Sequence, residues 1–437
     1  MNIRHVICIL AVLGLAACAT GGGGAGGNPA IRDHPVDEER LLAFTRGRPA
    51  DFHSYYATVL KQGERNAVLN FLRLGLELLK HGEFAHAGDA LDQAIRRIET
   101  IYADNDQARK ARSKFTAEYV KDFKGDPYER AMAYFYRGLV FLEHDDYENA
   151  RAAMLGGLEQ DAMAEDADYA KDFSLFYYLA GWASQCNGDT DLARDLYEQA
   201  YLLNDQLSPP SADANLLYLA FVNSGPVKMR TGEHKEKLYY VRSWAPGRTE
   251  ATRDRSIALA ANDRPVPLVP AENIYFQAAT RGGRAVDVIN AGKAEFKDST
   301  EALGQALTTS GIATMASARR SNNTFDRGTA NVGAGLALLG LVSTIASKRT
   351  KPAADIRYWD NLPEFIHVGT TIKQPDDAGL DRSDLRIALF DAQDNPVEAY
   401  TNVAPFTYSN HVGDGSDCDW IGIEPYKRPL PTEHVNR

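Results

Sequence analysis

Residues 71–94 read FLRLGLELLKHGEFAHAGDALDQA. Apolar side chains return at Phe71, Leu74 and Leu78, stop at His81-Gly82, and resume at Phe84, Ala87, Leu91 and Ala94. Spacings of three and four are those of one helical face, so the stretch predicts two helices joined by a tight turn. Gly75 removes a side chain from the first helix where the second must come close, and Gly82 turns the chain. A single hairpin of this kind cannot bury its apolar faces, so neighbours must stack on it.

The same positions recur twice downstream. The second set is Tyr134, Arg137, Gly138, Phe141, Asp145, Tyr147, Ala150, Met154 and Gly157. The third is Tyr177, Ala180, Gly181, Ser184, Gly188, Ala193, Tyr197 and Ala200. The three segments resemble tetratricopeptide repeats, although Arg137 and Ser184 depart from the large apolar residues usual there. Sixty-three residues separate Gly75 from Gly138 and 43 separate Gly138 from Gly181, against about 34 in a regular array. The surplus falls near 100–128, expected as an inserted helix, and near 162–172, expected as a longer connection. A helical domain is expected over 31–223, closed by one more helix over Ala212–Asn223.

In such an array the first helix of each hairpin lines a concave groove. The positions that resemblance points into it are Leu69, Leu72, Leu76 and Leu79, then Met132, Phe135, Leu139 and Leu142, then Leu175, Tyr178, Trp182 and Gln185. A groove open to water would be mixed in polarity, whereas this one is almost wholly apolar. Two occupants are consistent with it: a partner's segment, or the chain's own later residues. Leu76, Phe135, Leu139, Tyr178 and Trp182 are therefore candidate groove residues, and burial by residues beyond 205 is the deciding observation.

Beyond the array, 224–284 reads as an irregular linker with short strands at Tyr239–Arg242 and Ile274–Phe276. Residues 285–353 read as helical. Within them Gly328–Ser347 carries no charge and is flanked by Arg327, Lys348, Arg349 and Lys351. Its length suits a membrane span, and its small residues suit a helix packed tightly in protein; both readings stand. Residues 354–437 read as β-rich, with strands at Phe365–Val368, Leu385–Phe390 and Val397–Tyr400 and a turn over Asp391–Pro396. The expected fold class is mainly α: a tetratricopeptide-like array, a helical segment, and a small C-terminal antiparallel β domain.

At the N-terminus Arg4 precedes an apolar run from Val6 to Leu15, followed by Leu15-Ala16-Ala17-Cys18. The run is too short to span a bilayer and ends in small residues, as a signal peptide does. Leu-Ala-Ala-Cys resembles the bacterial lipobox, which implies a signal over 1–17, lipidation at Cys18 and, with Ala19 next, transfer to the outer membrane. Residues 18–30 form a glycine-rich tether. The net charge of −11 argues against nucleic acid and against an electrostatic hold on anionic lipid. Of four cysteines only Cys186 and Cys418 remain for the folded body. One disulfide is possible, with two free thiols the favoured expectation.

Catalytic constellations are not apparent. His81 and His86 stand five apart, not the four that place two zinc ligands on one helix face. No Gly-x-Ser-x-Gly elbow occurs, and the glycines at 21–27 lack the Lys-Ser or Lys-Thr that grips phosphate. Asp414, Asp417 and Asp419 read as a solvated turn rather than a calcium loop. No enzyme activity, metal or cofactor is expected.

Three short elements resemble one family. These are Asp126-Pro127-Tyr128-Glu129-Arg130, Gly225-Pro226-Val227-Lys228, and Ala354-Asp355-Ile356-Arg357-Tyr358-Trp359-Asp360-Asn361-Leu362-Pro363. The last is similar to an Ala-Asp-x-Arg-x-Trp-x-x-Leu-Pro segment of tetratricopeptide-containing lipoproteins of Gram-negative bacteria. Two features depart from that pattern: the stretch after Met154 lacks the family's arginines, and Pro375-Asp376-Asp377 replaces a Pro-Gly. The resemblance implies a lipid-anchored, periplasm-facing scaffold that binds a protein partner in envelope assembly, with Asp355, Arg357 and Trp359 as an interdomain motif. A structural subunit of an outer-membrane export apparatus is the alternative, and an envelope glycan-acting enzyme a more distant one.

Overall fold

The computed structural model describes residues 31–103, 122–162, 172–231, 237–243, 256–279, 354–391, 393–408, 412–413 and 417–425. Two short helices, α1 (Glu38–Thr45) and α2 (His53–Gln62), lead into three hairpins. These are α3 (Ala67–Lys80) with α4 (Phe84–Ala103), α5 (Pro127–Leu142) with α6 (Tyr147–Ala162), and α7 (Ser174–Cys186) with α8 (Thr190–Leu203). Helix α5 starts on a capping box, Asp126 with Glu129, and has Pro127 in its first turn, where the missing N–H costs nothing.

Each hairpin closes on its glycine. A Cβ at Gly75 would lie 2.8 Å from Leu91, at Gly138 2.5 Å from Met154 Cε, and at Gly181 2.8 Å from the Tyr197 ring. Gly82 and Gly188 turn two of the hairpins with positive φ, and Asp145 does the same for the other.

The remaining strands build three sheets. A five-stranded sheet has the order β10 (Phe406–Tyr408), β11 (Asp419–Glu424), β1 (Leu216–Val222), β7 (Phe365–Thr371), β6 (Val269–Asn273). β1 is parallel to β11 and antiparallel to β7. A four-stranded sheet runs β5 (Arg264–Val266), β4 (Ser256–Ala261), β8 (Leu385–Phe390), β9 (Pro396–Val403). A separate ribbon pairs β2 (Ser224–Thr231) with β3 (Lys237–Ser243), and a short helix α9 (Ile274–Ala279) packs beside it.

β1 sits at the centre of the molecule, and its period of two explains how. Leu217, Leu219 and Phe221 join the core shared with the helices. Leu216, Tyr218, Ala220 and Val222 join a second core with Ile257, Leu259, Leu385, Ile387 and Leu389 of the four-stranded sheet. The molecule is thus three layers: helical array, five-stranded sheet, four-stranded sheet.

This corrects the expected fold class. Among the described residues 48% are helical and 23% are in strands that form three sheets, so the fold is mixed α/β, not mainly α with a small β domain. The expected helix over Ala212–Asn223 is β1. A strand buried on both faces reads as an unbroken apolar run, LLYLAFV, and gives no alternation to distinguish it from a buried helix. The expected strand at Ile274–Phe276 is α9. There the Asn273 side chain accepts a hydrogen bond from the Phe276 N–H, an N-terminal cap that overrides the β preference of Ile-Tyr-Phe. Expected strands at 239–242, 365–368, 385–390 and 397–400 fall within β3, β7, β8 and β9. The five-stranded sheet draws on residues either side of the boundaries expected at 223 and 353. The segment 285–353, including 328–347, and Cys18 lie outside the described residues.

Candidate functional site

The concave face is filled by the chain itself. Phe135, Leu139, Tyr178, Trp182 and Leu76 are all buried, in one core with Leu217, Leu219, Phe221, Ile366 and Val368. Phe135 meets Phe221 edge-on with ring centres 6.4 Å apart, and Tyr136 meets both Phe221 and Trp359. At the far end of the groove Gln185 donates to the carbonyls of Ser211 and Ala214. Ser174 Oγ donates to Ala271 O of β6 at 2.7 Å.

A disulfide pins this arrangement. Cys186 at the end of α7 is bonded to Cys418 just before β11, 232 residues on. The expectation of two free thiols is therefore corrected. Sequence alone could not show that the last helical hairpin and the last strand of the sheet meet.

The segment 354–363 crosses the array as a strap. Arg357 is buried and its guanidinium holds Asp355 through Nε and Nη2, while Nη1 donates to Arg65 O and Asn66 Oδ1. Arg73 of α3 pairs with Asp360 at 2.7 Å, and Asn361 donates to Glu77 Oε1. Trp359 packs against Tyr136, and its backbone N–H donates to Glu129 Oε1 at 2.7 Å.

Glu129 is where the three family-like elements meet. Lys228, from the ribbon, lies 2.8 Å from Glu129 and 3.0 Å from Asp126. The Asp126 N–H donates to Glu129 Oε2, and Tyr240 of β3 donates to Asp126 Oδ2. Phe123 lies 5.5 Å from both the Lys228 ammonium and the Arg357 guanidinium. Burial pushes the Glu129 carboxyl up from its ordinary value, and the Lys228 ammonium opposes that shift. Gly225 completes the join. Its N–H donates to Leu362 O at 2.7 Å, and a Cβ there would stand 3.0 Å from that same oxygen.

This cluster is charged and buried, and it spans residues 126–129, 228, 240 and 355–359. Sequence reading named Asp355, Arg357 and Trp359 but did not place Glu129 and Lys228 in contact. No pattern in the chain links two positions 99 residues apart. Glu129, Lys228, Arg357 and Trp359 are almost wholly out of water, while Asp126 and Asp355 reach the edge of the cluster. It holds array, ribbon and strap together.

Two clefts lie elsewhere. One, about 330 Å³, is lined by Tyr218, Arg264, Thr371, Gln374, Asp376 and Asp377, with Arg264 already paired to both aspartates. The other, about 250 Å³, lies between α4 and α5, where Arg137 pairs with Asp92 and lies over Phe141. Among the described residues no group of three or more His, Cys, Asp or Glu is placed to hold a metal. His81 Nδ1 donates to Glu77 O, and His86 pairs with Glu83. Asp419 is engaged by Lys373 at 2.6 Å and by the Gly413 N–H. No helix among the described residues is long and apolar enough to cross a membrane.

No family model matches the chain, and no curated protein or solved structure matches it either.

Proposed function

We propose that the chain is a lipid-anchored, periplasm-facing scaffold for a protein partner in the cell envelope, gripping that partner outside its helical groove. The observation that carries this reading is the filled groove: Phe135, Leu139, Tyr178 and Trp182 are sealed under β1 and β7 and are not open to a ligand. The Cys186–Cys418 bond supports an oxidising compartment, as an exported protein would meet. The convergence of the three family-like elements on Glu129 supports the resemblance to tetratricopeptide lipoproteins.

The partner surface in this reading is the outward face of the four-stranded sheet. An antiparallel sheet with one solvated face ordinarily turns polar side chains outward. Here β4 and β8 present Ala258 opposite Ala388 and Ser256 opposite Phe390, with Arg386 beside Ala260. Small side chains let another backbone or flat surface come close. A photo-crosslinking residue at Ala388 in cells is expected to trap a partner, while one at Trp182 yields only products within the chain. A Trp182 adduct with another protein, and none from Ala388, would return the site to the groove. Radiolabelled fatty acid entering wild type but not Cys18→Ser tests the anchor.

A further inference from the structure

The larger cleft opens where the two larger sheets part. Its floor is Tyr218 of β1 and Thr371 of β7, which the register sets diagonally on one face of the five-stranded sheet. One wall is the β4–β5 turn, where Asn262 and Asp263 take positive φ and deliver Arg264, Pro265 and Val266 to the opening. The other is the short turn Pro375–Asp377, closed by a capping box between Gln374 and Asp377. Asp377 is 3% exposed and ties the walls together. Its carboxylate accepts from Arg264, from Asn262 Nδ2 at 3.1 Å and from the Gln374 N–H at 2.8 Å. The walls are thus fixed before anything enters, and a space of about 330 Å³ stands at the lower end of small-molecule pockets.

The floor leaves hydrogen-bonding capacity unused. Thr371 Oγ1 is out of water and meets no partner among the described residues. The Tyr218 hydroxyl stands beside it, yet no well-formed bond joins the two, and Tyr218 as a whole is 1% exposed. Buried polar groups are ordinarily paired, and a bare one destabilises the fold. Phenylalanine and valine would fill the same space without that penalty. Burial pushes the Tyr218 phenol up to about 12, so it stays neutral and can both donate and accept. Charge at the rim narrows the choice of ligand. Arg264 pairs with Asp376 at 2.6 Å and with Asp377, and no other described residue that lines the cleft is charged. One cation against two carboxylates leaves the rim net negative, which repels an anion, while the guanidinium acting on the Tyr218 hydroxyl opposes a cation there. The Arg264 pairs use Nη1, Nη2 and one oxygen of Asp376, so Nε and the second oxygen remain as a donor and an acceptor. Pro265, Pro375 and the exposed Ile372 add apolar edges.

We propose that this cleft binds an uncharged, hydroxyl-rich ligand of the size of one sugar ring, its hydroxyls meeting Tyr218, Thr371 and Asp376 and its C–H face meeting Pro265 and Ile372. Such a ring carries donors and acceptors on its edge and apolar C–H groups on its face, and so matches both halves of the lining. A phosphate or carboxylate meets the wrong charge, and a wholly apolar ligand leaves the two hydroxyls bare. A free sugar and one unit of a glycan chain offer the same chemistry. The assignment stands apart from the lipid anchor and from the sheet face given to a protein partner.

Saturation-transfer-difference NMR of the full-length chain tests this with glucose, its β-1,4-linked trimer, glucosamine and glucuronate. Saturable transfer to glucose is expected, with weaker binding of glucosamine and none of glucuronate. Tyr218→Phe with Thr371→Val is expected to melt no lower than wild type, since it removes hydroxyls that the fold leaves bare. The same double variant is expected to weaken glucose binding by about tenfold, the effect of two lost hydrogen bonds. A trimer that binds at least as tightly as glucose assigns a glycan unit, and a weaker trimer assigns the free sugar. No saturable transfer to glucose or its trimer overturns the proposal, and glucuronate binding as tightly as glucose overturns the uncharged class. Glucose binding unchanged in the double variant places the sugar elsewhere and overturns it too. So does a double variant that melts several degrees lower, because the hydroxyls then serve the fold rather than a ligand.

Discussion

Lys228 Nζ stands 2.8 Å from the carboxylate of Glu129, and both side chains are almost entirely out of water. The two residues come from a ribbon and a helix 99 positions apart. The contact is a join between parts of the fold, and its removal has a defined consequence.

Lys228→Met leaves Asp126 and Glu129 buried without their cation. The expected loss is about 3–5 kcal/mol of stability, because an uncompensated buried charge costs more than the pair contributes. Lys228→Met with Glu129→Gln is expected to recover part of that loss. Denaturant unfolding of the three proteins checks both statements, and a double variant no more stable than the single one refutes the pairing.

Glu272 sets a pH dependence. It lies on β6, buried, accepting from Gln277 Nε2 and the Asn273 N–H, and burial pushes its carboxyl up to about 7 from 4.5. A raised carboxyl favours the fold while protonated. Its contribution is whole below pH 4.5 and is lost as pH rises through about 7. A shift of that size corresponds to roughly 3 kcal/mol. Glu272→Gln is expected to flatten the stability profile between those limits; a variant whose profile keeps the wild-type slope would reassign it to another group.

The Cys186–Cys418 bond closes a loop of 232 residues. Chain entropy alone gives such a closure about 5 kcal/mol. The Cys186→Ser/Cys418→Ser protein is expected to melt lower than wild type, and dithiothreitol is expected to lower the wild-type transition to match it. Equal melting with and without reductant would show that the bond contributes nothing to stability.

Close approach at glycine differs between helix and sheet. A Cβ at Gly138 meets the far end of Met154, which can swing aside, whereas a Cβ at Gly369 of β7 lies 2.5 Å from the Pro267 carbonyl oxygen. Gly369→Ala is therefore expected to cost about 1–3 kcal/mol and Gly138→Ala less. Gly138→Leu, which fills the crossing with a branched side chain, is expected to be as harmful as Gly369→Ala. Thermal melts of the three proteins rank them.

The hairpins were legible because their signal is local: Gly75, Gly138 and Gly181 each sit a fixed distance from the turn they serve. The strap was legible as a motif through the resemblance of residues 354–363 to a known segment, but not as a contact. The sheet was hidden for two physical reasons. Its central strand is covered on both sides, so LLYLAFV has no polar side to alternate, and its neighbours β7 and β11 lie far along the chain. Glu129 and Lys228 look like ordinary helix and strand charges until the ribbon folds over α5. The groove that the sequence left to either a partner's segment or the chain's own later residues is a seat for its own strands; the apolar character of Phe135 and Trp182 alone does not say whose surface will cover it.

The place of β11 carries a consequence for how the protein comes into being. The last described strand inserts between β10 and β1, parallel to a partner some two hundred residues earlier. Until it arrives, β1 lacks a neighbour and the inner wall of the helical array lacks part of its cover. A chain emerging N-terminus first therefore carries its helices with bare apolar flanks for most of its passage. Folding of this sheet is completed only when β11 is delivered, and until then the incomplete chain is open to aggregation. A truncation near the C-terminus is expected to be destroyed as a whole rather than to leave a working helical fragment.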